Sequence, residues 1–142
     1  MKDINVRVAI YSPYLDTLGG GEKYIMTIAQ ILATNSSVDV LLDLHLDSQG
    51  ADKLKKDLAN RFDLNLSKVN FTKAPLGKNS NFLERFFFLR NYDLLFYLTD
   101  GSIFYSSARV NILHIQSPIK VLNNSLWKKI KSSSWNLIIY NS

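Results

Sequence analysis

A chain of 142 residues that is 46% hydrophobic and 20% charged has the apolar content for one core, and residues 1–142 are expected to form a single domain. Cysteine is absent, which excludes disulfides, thiolate nucleophiles and Cys-ligated metals and leaves any chemistry to oxygen and nitrogen groups. The net charge of +5 favours anionic partners, yet Lys and Arg are scattered apart from Lys128, Lys129 and Lys131 and no nucleic-acid-binding motif is visible, so nucleic acid is not expected among them.

At the N-terminus, Asp3 and Arg7 interrupt what would have to be the apolar stretch of a signal peptide. The longest apolar runs, Leu94 to Leu98 and Phe86 to Leu89, fall far short of the roughly 20 residues that span a bilayer. The expected location is cytoplasmic, with the membrane surface as the alternative. Val6 to Ser12 is a β-branched and apolar run stopped by Pro13, the pattern of a buried first strand. Beyond the loop PYLDTLGGG, Ile25, Ile28, Ala29 and Leu32 repeat at the spacing of a helix packed on one face. Val38 to Leu42 predicts a second strand, and Leu54, Leu58 and Phe62 fall on one side of a second helix. Val69 to Thr72 predicts a third strand, and Phe82, Leu83, Phe86 and Phe87 a third helix. Tyr92 to Leu98, Val110 to Ile115 and Leu137 to Tyr140 then read as three more strands.

Strands that are nearly continuous apolar runs, separated by amphipathic helices, predict a doubly wound, mainly parallel α/β sheet covered on both faces. Ligands of such sheets bind beyond the carboxyl ends of the strands, where strand order reverses, so the segments after strands one, four and five are the places to search. The chain stops at Asn141 and Ser142, just past a strand and without a closing helix, as a domain cut from a longer protein would.

Gly19, Gly20 and Gly21 precede the first helix, where missing side chains let backbone N–H groups approach a phosphate at the positive helix end. The competing reading is a tight turn with Glu22 complementing the helix dipole. The triplet is neither G-x-G-x-x-G nor a P-loop, which disfavours dinucleotide dehydrogenases and P-loop NTPases.

The segment VAIYSPYLDTLGGGEKYIMTIAQIL resembles the opening of retaining GT-B glycosyltransferases of the family 4 type, a group that includes sucrose synthases and mannosyltransferases. YDLLFYLTDGS, NILHIQSP and the terminal IIYNS resemble successive strand ends of that family's Rossmann-like N-terminal domain, so the likeness spans nearly the whole chain. The resemblance implies an acceptor-side domain whose glycine loop reaches the donor diphosphate. The donor nucleotide and the paired-glutamate motif would belong to a C-terminal domain that these residues do not include, so the chain alone is expected to be inactive. The expected partners are a nucleotide-sugar donor shared with that second domain and a sugar or lipid-linked acceptor, with no cofactor.

That family often carries a histidine at the end of the fifth strand, in a slot that Gln116 fills here. His114 lies two residues earlier and, by strand alternation, points to the same side, so both are candidates for holding an acceptor or for a catalytic role. A buried polar pair satisfied by the backbone is the other reading. Asp100, before Gly101 at the end of the fourth strand, either accepts hydrogen bonds from sugar hydroxyls or simply forms a turn. Asp43, His45 and Asp47 alternate as metal ligands on one face of a strand would, but the resemblance implies no metal there and a solvated strand end is expected. Phe86 to Phe88 between Arg85 and Arg90, and Trp127, Lys128, Lys129, Lys131 and Trp135, mix aromatic and basic groups. Such mixtures suit either peripheral membrane contact or a core edge covered by long cationic stems. The function expected is acceptor binding in retaining transfer of a sugar from a nucleotide diphosphate to a hydroxyl. The alternative is a non-catalytic Rossmann-like module for an anionic ligand or partner protein.

Overall fold

A computed structural model of the chain describes residues 5–13, 15, 19–43, 48–77, 80–99, 103–116 and 135–140. In chain order its elements are β1 (Arg7–Tyr11), α1 (Gly20–Leu32), β2 (Ser37–Leu42), α2 (Ser48–Phe62), β3 (Val69–Lys73), α3 (Phe82–Leu89), β4 (Leu94–Thr99), β5 (Val110–Ile115) and β6 (Leu137–Tyr140). The strands form one sheet in the order β3-β2-β1-β4-β5-β6, with every pairing parallel. This is a doubly wound, Rossmann-like α/β fold, and strand order reverses where β1 pairs with both β2 and β4.

Alternation along each strand sends successive side chains to opposite faces, and both faces carry a core. Val8, Ile10, Val38, Val40, Leu42, Phe96 and Leu98 pack against Ile25, Met26 and Ala29 of α1 and Leu58 of α2. Ala9, Tyr11, Leu41, Leu95, Tyr97, Leu113 and Ile115 pack on the other face with Leu89 of α3, Tyr92 and Ala108. Because β3 is an edge strand, Asn70 and Lys73 stay exposed, which is why that strand alternates more openly than β1 or β4.

The helices start and stop for local reasons. The Asn81 side chain accepts the Leu83 N–H at 2.9 Å and caps α3. After α2, Asp63 takes a left-handed conformation (φ 54°) and the Leu64 N–H donates to the Ala59 carbonyl at 3.0 Å, closing the helix end. The strand expected from Tyr92 begins instead at Leu94: Tyr92 still turns its N–H back to the Leu89 carbonyl at 3.1 Å, and its side chain enters a polar clamp. Its hydroxyl donates to Asp39 Oδ2 at 2.7 Å, and the Arg7 guanidinium lies 4.9 Å from its ring centre. Burial, then the hydrogen bond to Asp39, pushes the Tyr92 phenol far above its ordinary range.

The helix expected from Phe82, Leu83, Phe86 and Phe87 is present, but its stripe faces outward. Phe82, Leu83 and Phe87 are 52%, 60% and 55% exposed, while Leu89 is buried and Phe88 packs on the second core. Among the described residues no helix is long and apolar enough to cross a membrane.

Candidate functional site

The carboxyl ends of β1, β4 and β5 form a rim beside the start of α1. Gly19 caps that helix and its N–H donates to Glu22 Oε2 at 2.6 Å. Glu22 is 6% exposed, so one carboxylate is already committed to the positive end of the helix. Gly20 and Gly21 occupy the first turn, where backbone N–H groups have no helical acceptor.

The two glycines have different surroundings. A Cβ on Gly20 would meet nothing within 4 Å, so the space above the helix end is open there. A Cβ on Gly21 would lie 2.5 Å from Gln116 Oε1 and 3.5 Å from Leu98 Cδ2, so the absent side chain is what lets the Gln116 amide rest against the loop. The Gln116 N–H donates to the Thr99 carbonyl at 3.2 Å and extends the β4–β5 ladder by one residue. The Gln116 side chain is exposed at the rim.

His114 points to the same face as Gln116 but sits deeper, 3% exposed beneath α1. Its Nδ1 lies 3.0 Å from the Tyr24 hydroxyl, and the two rings meet edge to face at 5.0 Å. Burial pushes the Tyr24 phenol above its ordinary range. The fold therefore brings Gly21 and Gln116 together at the rim and keeps His114 in the sheet–helix interface.

Asp43, just past β2, accepts the Tyr11 hydroxyl at 3.1 Å and faces Gly77, whose φ of 109° belongs to the glycine-favoured region. Among the described residues no three His, Cys, Asp or Glu side chains are grouped closely enough to hold a metal ion. Asp100, His45, Asp47, Trp127, Lys128, Lys129, Lys131, Asn141 and Ser142 lie outside the described residues. Trp135 is half-buried in the second core, its ring 5.8 Å from Tyr97 and 5.9 Å from Phe104.

Under the other face of the rim, Tyr11 stacks on Tyr97 at 5.2 Å and Phe104 meets Tyr97 at 4.9 Å. Arg85 reaches this group from α3, 5.3 Å from the Phe104 ring centre, and donates to Ser80 Oγ at 3.1 Å. Sequence reasoning did not find this cluster, because its members come from separate segments with no shared period. The Tyr24–His114 pair was missed for the same reason, its partners being 90 residues apart.

Chemically, the rim offers first-turn N–H groups and a neutral amide that both donates and accepts. Among the described residues that line it, the Glu22 carboxylate accepts the Gly19 N–H and the Asp43 carboxylate accepts the Tyr11 hydroxyl. A shallow concavity of about 430 Å³ lined by Lys55, Lys56, Asn65 and Ser67 lies between the later turns of α2 and the approach to β3, away from this rim. Scans against protein-family models, curated proteins and solved structures each find no match to this chain.

Proposed function

We propose that this chain is the acceptor-side domain of a retaining GT-B glycosyltransferase, which moves a sugar from a nucleotide diphosphate to a hydroxyl. The observation that carries the reading is the meeting of the glycine loop with Gln116 at the point where strand order reverses. The open space over Gly20 suits a donor diphosphate, and the exposed Gln116 amide suits an acceptor hydroxyl. The acceptor is a sugar or a lipid-linked sugar, and the donor is shared with a second domain. Asp100 belongs to the same acceptor set, since it directly follows β4.

Two measurements test this. The 142-residue chain by itself is expected to give no steady turnover of a nucleotide sugar, and steady turnover would refute the division of labour. In the intact enzyme, Gly20→Val fills the open space over the helix end and is expected to raise the donor KM, whereas Asp43→Asn leaves it nearly unchanged. The reverse pattern overturns the assignment.

One observation favours the alternative reading, a non-catalytic Rossmann-like module. The buried Glu22 carboxylate on Gly19 is what a purely structural turn needs, and it repels a second anion. Gly20→Val with no effect on any ligand would select that reading.

A further inference from the structure

Several of the exposed large apolar side chains gather at one place. Phe82, Leu83 and Phe87 of α3 stand beside Tyr105, itself 43% exposed. They form one surface: Phe82 lies 6.2 Å from Phe86 and 6.1 Å from Tyr105, Phe86 stacks on Tyr105 at 6.2 Å, and Phe87 meets Phe86 edge to face at 5.6 Å. The opposite side of α3 already has its partners, since Leu89 is buried and Phe88 packs against Tyr92 at 5.7 Å. The outward cluster is therefore surplus to the core, and apolar patches of this kind on a folded surface mark contact with something else.

The cations identify what that is. Arg85, in the middle of α3, lies over the Phe82 ring at 5.7 Å, and Arg90, at its C-terminal end, lies over the Phe87 ring at 5.9 Å. Glu84 is the only carboxylate within α3, and the whole chain carries a net charge of +5. Exposed aromatic rings flanked by arginines complement a layer that is apolar inside and anionic at its surface.

We propose that α3 and Tyr105 form a docking face for an anionic lipid bilayer. Phe82, Leu83 and Phe87 enter the boundary between headgroups and acyl chains, while the exposed Arg90 contacts lipid phosphates and Arg85 backs the rings from below. The inference is independent of the glycosyltransfer reading, because it uses none of the rim residues.

The test is co-sedimentation of the full chain with vesicles of phosphatidylcholine, alone or mixed with phosphatidylglycerol. Binding is expected to the anionic vesicles and to weaken as salt is raised. The double variant Leu83→Ser, Phe87→Ser alters only exposed side chains, so it should keep the circular dichroism spectrum of the parent while binding about tenfold or more weakly. Arg90→Gln should lose about fivefold on anionic vesicles and nothing on phosphatidylcholine alone. Equal binding by parent and double variant overturns the proposal, as does no vesicle binding at any salt. A parent that dimerises, with a monomeric double variant and no lipid binding, overturns it in favour of a second copy of the chain.

Discussion

His114 and Gln116 are two residues apart on one face of one strand, yet they stand in different media. His114 is enclosed under α1 with Tyr24 on its Nδ1, and Gln116 is exposed at the rim. Their substitutions are accordingly expected to separate. His114→Ala removes a packed ring and the partner of the Tyr24 hydroxyl, and should cost about 1–3 kcal/mol of stability. Gln116→Ala should leave stability within about 0.5 kcal/mol and, if the rim holds an acceptor as proposed, weaken acceptor use by about 0.5–1.5 kcal/mol, the worth of one hydrogen bond to a neutral group. Urea unfolding alongside acceptor kinetics reads both quantities. A loss of 10²-fold or more in kcat for Gln116→Ala, with unchanged folding, would contradict a binding-only role.

At the scale of elements, the start of α1 and the clamp at the amino end of the sheet make separate expectations. Glu22 accepts the Gly19 N–H and places negative charge at the helix end, so Glu22→Gln should lower stability by about 1 kcal/mol. If the loop receives a diphosphate, the same change removes a repelling charge and should tighten binding of inorganic pyrophosphate in a calorimetric titration. Unchanged or weaker binding would leave the loop as a turn and no more. The clamp joins β1, β2 and the approach to β4 through Arg7, Asp39 and Tyr92. Because the folded phenol of Tyr92 is held well above the ordinary value of about 10, this group's contribution is fully present below that pH and is lost as pH rises past it. The unfolded phenol ionises there while the folded one does not. The melting temperature should therefore fall above pH ~10, and Tyr92→Phe should flatten that part of the fall while costing about 1 kcal/mol at neutral pH. A parallel fall in parent and variant would show that the clamp is not responsible.

For the whole molecule, the sheet is the shared wall of two cores. Leu58 on α2 and Leu89 on α3 are both fully buried, one against each face. Leu58→Ala and Leu89→Ala are each expected to cost about 2–5 kcal/mol. Since both cores lean on β1, β2, β4 and β5, either variant should unfold in a single transition, with fluorescence and circular dichroism coincident. Separate transitions for the two faces would show that the layers hold independently. The same sheet sets the site, because parallel strands present all their carboxyl ends on one side and the reversal between β1 and β4 opens the rim there.

The sequence by itself determined the elements and their layering. Runs such as Val8 to Tyr11 and Leu95 to Leu98 are apolar at every position, which only a strand buried on both faces requires, and Ile25, Ala29 and Leu58 mark helices packed on that sheet. Periodicity is local, so it survives in a single chain read in order. It was ambiguous for α3, whose sequence FLERFFFL is apolar nearly all round. Two stripes were available, and tertiary packing chose Phe88 and Leu89 for the core and turned Phe82, Leu83 and Phe87 outward. The site was legible only as a list of candidates. That Gly21 would receive the Gln116 amide and that Tyr24 would enclose His114 depended on strand order and on how α1 lies across the sheet. These are contacts between segments distant in sequence, and they carry no period to read. Only the folded arrangement, in which burial on both faces decides which strand neighbours which, brings them together.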